Sequence, residues 1–272
     1  MSIVDEIVAA HGGAEAWQAA GRVRVSGRAG GFLLRTRVPR DLYRVVRIEV
    51  KLGEPYAVAR DVPSPGFRGV FDHGAVRIET DAGEVLRGRE DPRPLFSGRA
   101  GLRRNFRWDE FDFAYFAGYA WWNYLNHPLF LLRDDFEVRE GESLAGKEGV
   151  WRRLDVTFPA GLDTHSPVQS FFYDEDLRLR RHDYVAEVVG GWAHAAHFCD
   201  GHRDAGGLLF PTRRRVVPIG PGERPLPGPV LVALDLDEIE GRAPRAHSLS
   251  ASTSSFLPIF DRPATPSRWA RS

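Results

Sequence analysis

The sequence predicts a mainly β fold, a large curved antiparallel sheet or half-open barrel wrapped on an aromatic helix. Three observations favour this class. Roughly a dozen short segments alternate apolar and polar residues and are separated by Gly, Pro or Asp turns, which is typical of a meander. No regular helices alternate with the strands, and no Gly-rich phosphate loop follows a strand. One stretch, residues 108–126, is strongly aromatic and has a helical pattern instead.

The first part of the chain predicts helical turns followed by strands. Apolar residues at helical spacing predict a short helix, a break at Gly12–Gly13 and another turn over residues 3–19. Residues 23–27 and 32–38 alternate around Gly30–Gly31 and therefore predict a hairpin. Four further strands are expected at 42–51, 55–62, 67–72 and 75–80.

Residues 108–126, with the sequence WDEFDFAYFAGYAWWNYLN, predict a helix. Asp109 and Glu110 lie in its first turn and Pro128 follows its end, as helix boundaries prefer. Apolar side chains cover most of its circumference, so we expect the rest of the fold to enclose it. After this helix, strands are expected at 136–140, 150–158, 168–174, 177–189, 191–199, 208–218 and 229–239.

Composition predicts one ordinary globular domain over residues 1–242, followed by a loosely packed C-terminal tail over 243–272. Hydrophobic residues make up 43% and charged residues 27% of the 272 residues, which argues against disorder. The formal net charge is +0, so we expect no nucleic-acid partner. No apolar run reaches the roughly 18 residues of a membrane span, so we expect no integral membrane association.

Two features predict a cytoplasmic protein. The N-terminus carries Asp5 and Glu6 where a signal peptide would carry basic residues. The single cysteine, Cys199, excludes an internal disulfide and fits a reducing compartment. We therefore expect the chain to remain in the cytoplasm.

The order of the predicted elements resembles that of a known superfamily. A short N-terminal helix, a long meander, an aromatic helix and a further meander over most of residues 1–240 resemble the LolA/LolB-like lipoprotein carriers. The strings YFAGYAWWNYL (115–125), THSPVQSFFYDEDLRLRRHDY (164–184) and FPTRRRV (210–216) more closely resemble a group of uncharacterised bacterial proteins. The resemblance implies a sheet curled around helices, an apolar cavity and a preference for apolar ligands.

The densest polar cluster, residues 192–202, contains His194, His197 and Cys199. On a strand, His194 and His197 point to opposite faces, so we expect no metal site and no cofactor. His197 and Cys199 share a face, which leaves a Cys–His nucleophilic pair open. A buried free cysteine that fills space as a small apolar residue is the plainer interpretation.

A second polar cluster follows the segment Thr164–Gln169. Gln169 and Tyr173 share one strand face, and His182 and Tyr184 share a face of the next strand. If His182 is enclosed beside Tyr184, it could act as a general acid–base group, as could His197. Alternatively, His182 and Tyr184 complete hydrogen bonds at the rim of a solvated face. Both interpretations stay open, because a shift of one residue in the strand register exchanges the inner and outer faces.

One arginine and the polar residues of the helix are the other candidates for ligand contact. An inward-facing Arg213 would need an anionic partner, which is either a ligand or, more plainly, Asp235 or Asp237. On the helix, a buried Asn123 needs a hydrogen-bond partner, which is either a backbone group of the sheet or a ligand. Aromatic surface combined with hydroxyl, indole and amide groups is typical of small-molecule pockets, and the helix offers it at Tyr115, Tyr119, Trp122 and Asn123.

These observations predict a binding protein for an apolar or amphipathic small molecule that is held between the sheet and the helix. The ligand-binding candidates are Tyr115, Tyr119, Trp122, Asn123, Gln169, Tyr173 and Arg213. The alternative is a cofactor-independent isomerase, cyclase or hydrolase of a hydrophobic metabolite, with His182, Tyr184 and His197 as the catalytic groups. A third class, a structural or protein-interaction domain, would leave the predicted cavity filled by side chains.

Overall fold

The computed structural model describes residues 2–146 and 149–242, and it confirms the predicted mainly β class. The predicted tail at 243–272 lies outside the described residues. The strands are β1 (Arg22–Gly30), β2 (Val45–Lys51), β3 (Tyr56–Arg60), β4 (Phe67–Asp72), β5 (Ala75–Thr80), β6 (Val85–Arg89), β7 (Glu137–Gly146), β8 (Gly149–Thr157), β9 (Val168–Tyr173), β10 (Leu179–Val185), β11 (His194–Ala205), β12 (Leu208–Pro218) and β13 (Val232–Arg242). The α-helices are α1 (Ile3–Ala10), α2 (Ala14–Ala20), α3 (Phe32–Arg37), α4 (Arg40–Tyr43), α5 (Gly98–Arg104) and α6 (Glu110–Asn126).

The described strands form one open antiparallel sheet in the order β6-β5-β4-β3-β2-β1-β13-β12-β11-β10-β9-β8-β7. Two meanders therefore meet at the centre, where β1 pairs with β13 on one side and with β2 on the other. The chain leaves the sheet at the β6 edge and returns at the β7 edge. The intervening residues 90–136 carry α5 and α6 across the inner face.

Helix α6 begins at a network of charged side chains. The Asp109 carboxylate accepts from the Asp112 N–H at 2.8 Å, and the Asp112 carboxylate accepts from the Asp109 N–H at 3.1 Å, which is a capping box. Asp112 is fully buried and pairs with Arg89 at 2.8 Å, Arg103 at 2.8 Å and Arg104 at 2.7 Å. These hydrogen bonds and ion pairs fix the first turn of the helix.

The rest of the fold encloses α6, as predicted. Every residue from Phe111 to Asn126 is buried, and the helix packs against β2, β3, β4 and β5. The closest approach is at Gly118, where a Cβ would lie 2.2 Å from the Cβ of Phe71 in β4. A residue without a side chain is therefore required at this crossing.

The predicted hairpin at 23–27 and 32–38 is wrong in its second arm. Residues Phe32–Arg37 form helix α3, and β1 pairs with β2 and β13 instead. The backbone N–H groups of Phe32 and Leu33 donate to carbonyls of Val230 and Leu231 at 2.8 and 2.9 Å. Leu33 and Leu34 are both buried while Phe32 is 45% exposed, so the burial follows a helix rather than an alternating strand.

Other strands were predictable because their turns are local. Strands β4 and β5 have the predicted limits 67–72 and 75–80. Strand β11, in contrast, extends to Ala205, beyond the predicted end at 199, because Gly206 and Gly207, with φ of 70° and 88°, form a two-residue hairpin turn to β12 that was not predicted. Strand β6 has four exposed residues of five and lies at the sheet edge, so it lacks the alternating burial by which strands are predicted. No helix in the described part of the chain is both long and apolar enough to cross a bilayer.

Candidate functional site

A layer of buried polar side chains lies between the C-terminal half of α6 and strands β9 to β12. The register places His182 of β10 opposite Phe171 of β9 and opposite His197 of β11, which the sequence left undecided. The loop at 158–167 adds Thr164 and His165 to the same layer. We call this layer the polar core, and each of its members is at most 7% exposed: Asn123, Tyr124, Thr164, His165, Gln169, His182, Tyr184, His197 and Arg214.

Hydrogen bonds in the polar core orient one amide and one imidazole. The Gln169 Nε2 group donates to the Ser166 carbonyl at 2.9 Å and to the Thr164 hydroxyl at 2.5 Å. The Gln169 Oε1 atom must therefore accept the hydrogen bond from His182 Nε2 at 2.5 Å. This assigns the His182 proton to Nε2. His182 thus acts in this structure as a donor to a buried amide.

Asn123 is satisfied by protein groups. Its Nδ2 donates to the Tyr119 carbonyl one helical turn earlier, at 2.8 Å, and its Oδ1 accepts from the Thr164 hydroxyl at 3.2 Å. Both partners differ from the two expected from the sequence, because one is the helix backbone and the other belongs to the 158–167 loop. Asn123 therefore ties α6 to that loop.

The three residues predicted to be catalytic lie together in the polar core. The rings of His182 and Tyr184 are 4.8 Å apart, and those of His182 and His197 are 5.9 Å apart. Tyr184 stacks on His165 at 3.9 Å, and both nitrogens of His197 lack a hydrogen-bond partner among the described residues. The cluster is enclosed, since His182 is 2% exposed and His197 is 0% exposed.

Burial sets the protonation of these histidines. Removal from water lowers the pKa of His165 to about 3 and lowers the pKa values of His182 and His197 well below the ordinary value. The positive charge of Arg214 contributes in the same direction to His182 and His197. The imidazoles are therefore neutral at physiological pH.

Arg214 is a buried cation whose described contacts are with uncharged groups. Its guanidinium donates to the Cys199 Sγ at 3.4 Å and to the Tyr124 carbonyl at 3.3 Å, and it lies 4.9 Å from the centre of the Tyr124 ring. Among the described residues, no carboxylate lies within salt-bridge distance of Arg214. Its charge is therefore poorly compensated.

Cys199 is a buried free thiol beside that guanidinium. Burial raises the pKa of Cys199 to about 11, which keeps the thiol protonated. Its Sγ contacts the backbone carbonyl of His197 at 3.8 Å, and no described contact joins it to the His197 imidazole. This geometry favours the small-apolar-residue interpretation over a nucleophilic pair.

The remaining predicted ligand contacts divide between the interior and the outer face. Tyr173 accepts or donates a hydrogen bond with His127 Nε2 at 2.7 Å and is fully buried. Tyr119 and Trp122 are also buried, and within the described residues the Tyr119 hydroxyl and the Trp122 indole N–H have no hydrogen-bond partner. Arg213 is exposed, so it does not line the interior.

The alternation of β12 and β11 explains these outer positions. Arg214 points inward, whereas on the other face the Nη2 atom of Arg215 donates to both carboxylate oxygens of Asp235, at 2.7 and 2.9 Å. His194 is exposed and His197 is buried, on opposite faces as predicted. Within residues 2–146 and 149–242, no group of three or more His, Cys, Asp or Glu side chains is arranged to hold a metal ion.

The space predicted between the sheet and the helix is small. A cavity of about 50 Å³ remains there, and apolar side chains such as Leu42, Phe113, Trp121 and Leu234 line it. A larger cleft of about 750 Å³ opens at the rim of the fold, between residues 90–97 and the loops at 158–167 and 187–188. We call it the rim cleft. Its lining includes Arg93, Phe96, Phe158, Leu162, Asp163, Thr164, Glu187 and Val188.

One predicted residue, Tyr115, is fully buried behind the lining of the rim cleft and contacts two of the residues that line it. The Tyr115 hydroxyl donates a short hydrogen bond to the Asp163 carboxylate. Arg93 donates to the Tyr115 oxygen at 3.3 Å, to the Thr164 carbonyl at 2.8 Å and to the Glu187 carboxylate at 2.6 Å. Arg93 therefore connects α6, the 158–167 loop and the 187–188 loop.

Asp163 combines burial with access to the cleft. Burial raises the pKa of its carboxyl above the ordinary value, although the hydrogen bond from Tyr115 and the charge of Arg93 oppose this. Burial, followed by the charge of Asp163, also raises the pKa of Tyr115. A carboxyl group in such surroundings can exchange a proton with a bound molecule nearer to neutral pH than an exposed one.

Sequence reasoning missed Arg93 and Asp163. Both are single charged residues in irregular segments, and only the fold brings them to Tyr115. The one available signal was that Asp163 directly precedes the cluster Thr164–Gln169, which was selected for its polar residues. No comparable signal marks Arg93.

Comparisons with known proteins indicate the fold. No protein-family model matches the sequence, and no curated protein matches it. A DUF1329 family protein from Desulfovibrio piger aligns with a TM-score of 0.50 at 12% identity, over 88% of this chain and 91% of that chain.

Two further solved structures align less closely. A LolA superfamily protein from Nitrosomonas europaea has a TM-score of 0.46 at 10% identity, covering 84% of this chain and 92% of that chain. A putative outer membrane lipoprotein-sorting protein domain from Vibrio parahaemolyticus has a TM-score of 0.48 at 8% identity, covering 84% and 88%. At the level of architecture, the predicted resemblance agrees with the fold shared with the DUF1329 family protein.

Proposed function

We propose that this chain is a cytoplasmic binding protein for an apolar or amphipathic small molecule, which lies in the rim cleft. The observation that carries the proposal is a cleft of about 750 Å³ whose lining includes the Asp163 carboxylate, which the buried Tyr115 hydroxyl orients by a hydrogen bond. Small-molecule sites typically enclose roughly 300–1,000 Å³ and combine apolar walls with a few polar groups that fix orientation.

The lining residues suggest how such a molecule is held. Phe96, Phe158 and Leu162 offer apolar surface to its hydrocarbon part. The Asp163 carboxylate can accept a hydrogen bond from a hydroxyl or amide group of the ligand. The Tyr115 hydroxyl donates to that carboxylate, and Arg93 in turn donates to the Tyr115 oxygen. We place the ligand here because the cavity of about 50 Å³ beneath α6 is too small for a metabolite.

Displacement of a fluorescent apolar probe tests the proposal. N-phenyl-1-naphthylamine is titrated into the protein and then displaced by decanol, decanoic acid and decane. We expect Phe96→Ala to weaken probe binding about tenfold, the effect of losing one buried aromatic contact. Asp163→Asn should weaken decanol more than decane.

The matched control is Arg213→Gln, because Arg213 is exposed on the outer face and has been a candidate from its sequence position. Its affinity for the probe should equal that of the unaltered protein. Equal binding by the Phe96→Ala, Asp163→Asn and unaltered proteins would show that the rim cleft is not the site.

A second candidate function is acid–base catalysis in the same cleft, and the raised pKa of Asp163 favours it. The predicted catalytic residues His182, Tyr184 and His197 are enclosed, whereas Asp163 borders open space where a substrate can reach it. Any ligand found by displacement is followed by NMR for chemical change. Catalysis would be supported if the protein converts the ligand and Asp163→Asn abolishes this conversion while the affinity for the ligand is retained. A ligand that stays chemically unchanged would support binding alone.

A further inference from the structure

The segment between β6 and α6 carries exposed apolar side chains among arginines. Residues 92–108 contain five arginines and no Asp or Glu. Leu102 is 62% exposed and Phe106 is 79% exposed, and Arg99, Arg103 and Arg107 alternate with them. We call residues 97–107, which comprise α5 and the turn after it, the basic tip.

The charge of the basic tip is only partly neutralised. Arg103 pairs with Asp109 at 3.1 Å and with Asp112 at 2.8 Å. Arg99 and Arg107, in contrast, have no carboxylate within salt-bridge distance among the residues that the structure describes. The nearest preceding acids in the sequence, Glu90 and Asp91, line the rim cleft instead. The exposed end of the projection is therefore positively charged.

The basic tip lies beside the entrance of the rim cleft. It continues directly from the turn at Arg93–Phe96, which forms one wall of that cleft. The lining also includes Glu187, which pairs with Arg93 at 2.6 Å. The loop that carries Glu187 extends to Trp192, which is 75% exposed. Exposed aromatic side chains therefore occur on both chain segments that continue from the lining of the cleft.

We propose that the basic tip and the loop at 186–193 dock the protein on an anionic lipid bilayer, with the rim cleft facing the membrane. The arginines would contact lipid phosphates, and the side chains of Leu102 and Phe106 would enter the interfacial region. Tryptophan at the level of the headgroups is typical of membrane interfaces, which fits Trp192. The role of the membrane as the source of the ligand rests on the proposed function; the docking itself does not.

A bilayer fits this surface better than a second copy of the chain. The chain has a formal net charge of +0, so a second copy offers no net electrostatic attraction to the basic tip. Leu102 and Phe106 are four residues apart, and so are Arg99, Arg103 and Arg107, so helical spacing gives an apolar stripe beside a basic one. Separate apolar and basic faces are typical of helices that lie on membranes.

Vesicle flotation at low and high salt tests the docking. The full chain is mixed with phosphatidylcholine vesicles that contain either no anionic lipid or about one third phosphatidylglycerol. We expect binding to the anionic vesicles that salt weakens. Leu102→Ser with Phe106→Ser should reduce it about tenfold, Trp192→Ser should reduce it, and Arg99→Gln with Arg107→Gln should reduce both the binding and its salt dependence.

The matched control is Val150→Ser with Val168→Ser, because both valines are more than half exposed, at 58% and 57%, outside the basic tip and the loop at 186–193. It should bind vesicles like the unaltered protein. Three outcomes would overturn the proposal: the protein does not bind vesicles, all variants bind them equally, or the protein self-associates and Phe106→Ser abolishes that association. Probe displacement without vesicles separates the two proposals: docking variants should keep their probe affinity, and loss of docking alone leaves the proposed binding function intact.

Discussion

Asn123 shows how a buried amide is satisfied within this protein. It accepts a hydrogen bond from the Thr164 hydroxyl and donates one to the Tyr119 carbonyl, so it fixes the 158–167 loop on α6. Thr164 also lines the rim cleft. The position of the Thr164 side of the rim cleft therefore depends on Asn123, which is itself buried and does not line the cleft.

Replacement of Asn123 by Ala should lower the free energy of unfolding by about 1–3 kcal/mol, because Thr164 loses its buried acceptor. Urea denaturation measures the change. The exposed Asn105 provides the control, since Asn105→Ala should change stability by less than about 0.5 kcal/mol. Unchanged stability together with weakened ligand binding would instead make Asn123 a ligand contact.

At single positions, the sequence could predict which side chains share a face but not which face is inner. His182, Tyr184 and His197 came together because strand periodicity and antiparallel pairing bring them together. Arg213 was a candidate for the inner face, but the structure places its neighbour Arg214 there, because one step along a strand reverses the side and nothing local in FPTRRRV decides which residue points inward. Arg93 and Asp163 required the path of two loops, which sequence periodicity does not encode.

At the level of elements, local signals decided what was predictable. Helix α6 begins next to a capping box made by residues three positions apart, so its start was visible in the sequence. The sequence of helix α3 alternates like that of a strand. Its first turn is held by hydrogen bonds to residues 230 and 231, which are far away in sequence and which local patterns do not reveal. Tertiary contacts therefore overrode the local pattern.

The crossing of α6 over β4 gives a prediction in which two effects oppose each other. Gly118→Ala should favour the helix by about 1 kcal/mol, yet its Cβ would lie 2.2 Å from the Phe71 side chain. Such overpacking costs typically about 1–3 kcal/mol, and here the backbones must also separate, so we expect a net loss of stability.

Thermal denaturation compares Gly118→Ala with Gly191→Ala, where a Cβ meets no atom within 4 Å. The control should leave the melting temperature nearly unchanged. A higher melting temperature for Gly118→Ala would mean that the helix and the sheet are separated further than the structure shows.

Across the whole molecule, the interior holds an unusual number of neutral histidines. Burial lowers the pKa of six of the nine histidines, including those of His165 and His202, which fall to about 3. These six histidines are His11, His127, His165, His182, His197 and His202. Unfolding releases them into water, where they titrate near 6.5.

Stability should therefore fall steeply as the pH drops below about 6.5. The unfolded chain then binds protons that the folded chain excludes, and each such histidine costs about 1.4 kcal/mol per pH unit until its lower, folded-state pKa is reached. Over two pH units, the losses from several such histidines add up to an amount comparable to the whole free energy of unfolding of a typical protein, which is about 5–15 kcal/mol. We expect the midpoint of urea denaturation to drop sharply between about pH 6.5 and 5, above the range where carboxylates titrate.

Single substitutions identify the histidines responsible. His197→Gln should reduce the slope of stability against pH by about one proton. The exposed His194 is the control, and His194→Gln should leave the slope unchanged. A stability that is flat over this interval would mean that the imidazoles are hydrated or already protonated in the folded state.

The pairing of β1 with β13 shapes how the molecule is completed during translation. Arg22 and Arg242 are register partners, so the centre of the sheet closes only after more than 200 intervening residues have been synthesised. Until then β1 has β2 on one side and a free row of N–H and C=O groups on the other, open to any other extended chain. Chains with such distant pairings fold slowly and depend on protection from aggregation. A strand next to the centre of the finished sheet is thus the one whose edge stays unpaired longest on the ribosome.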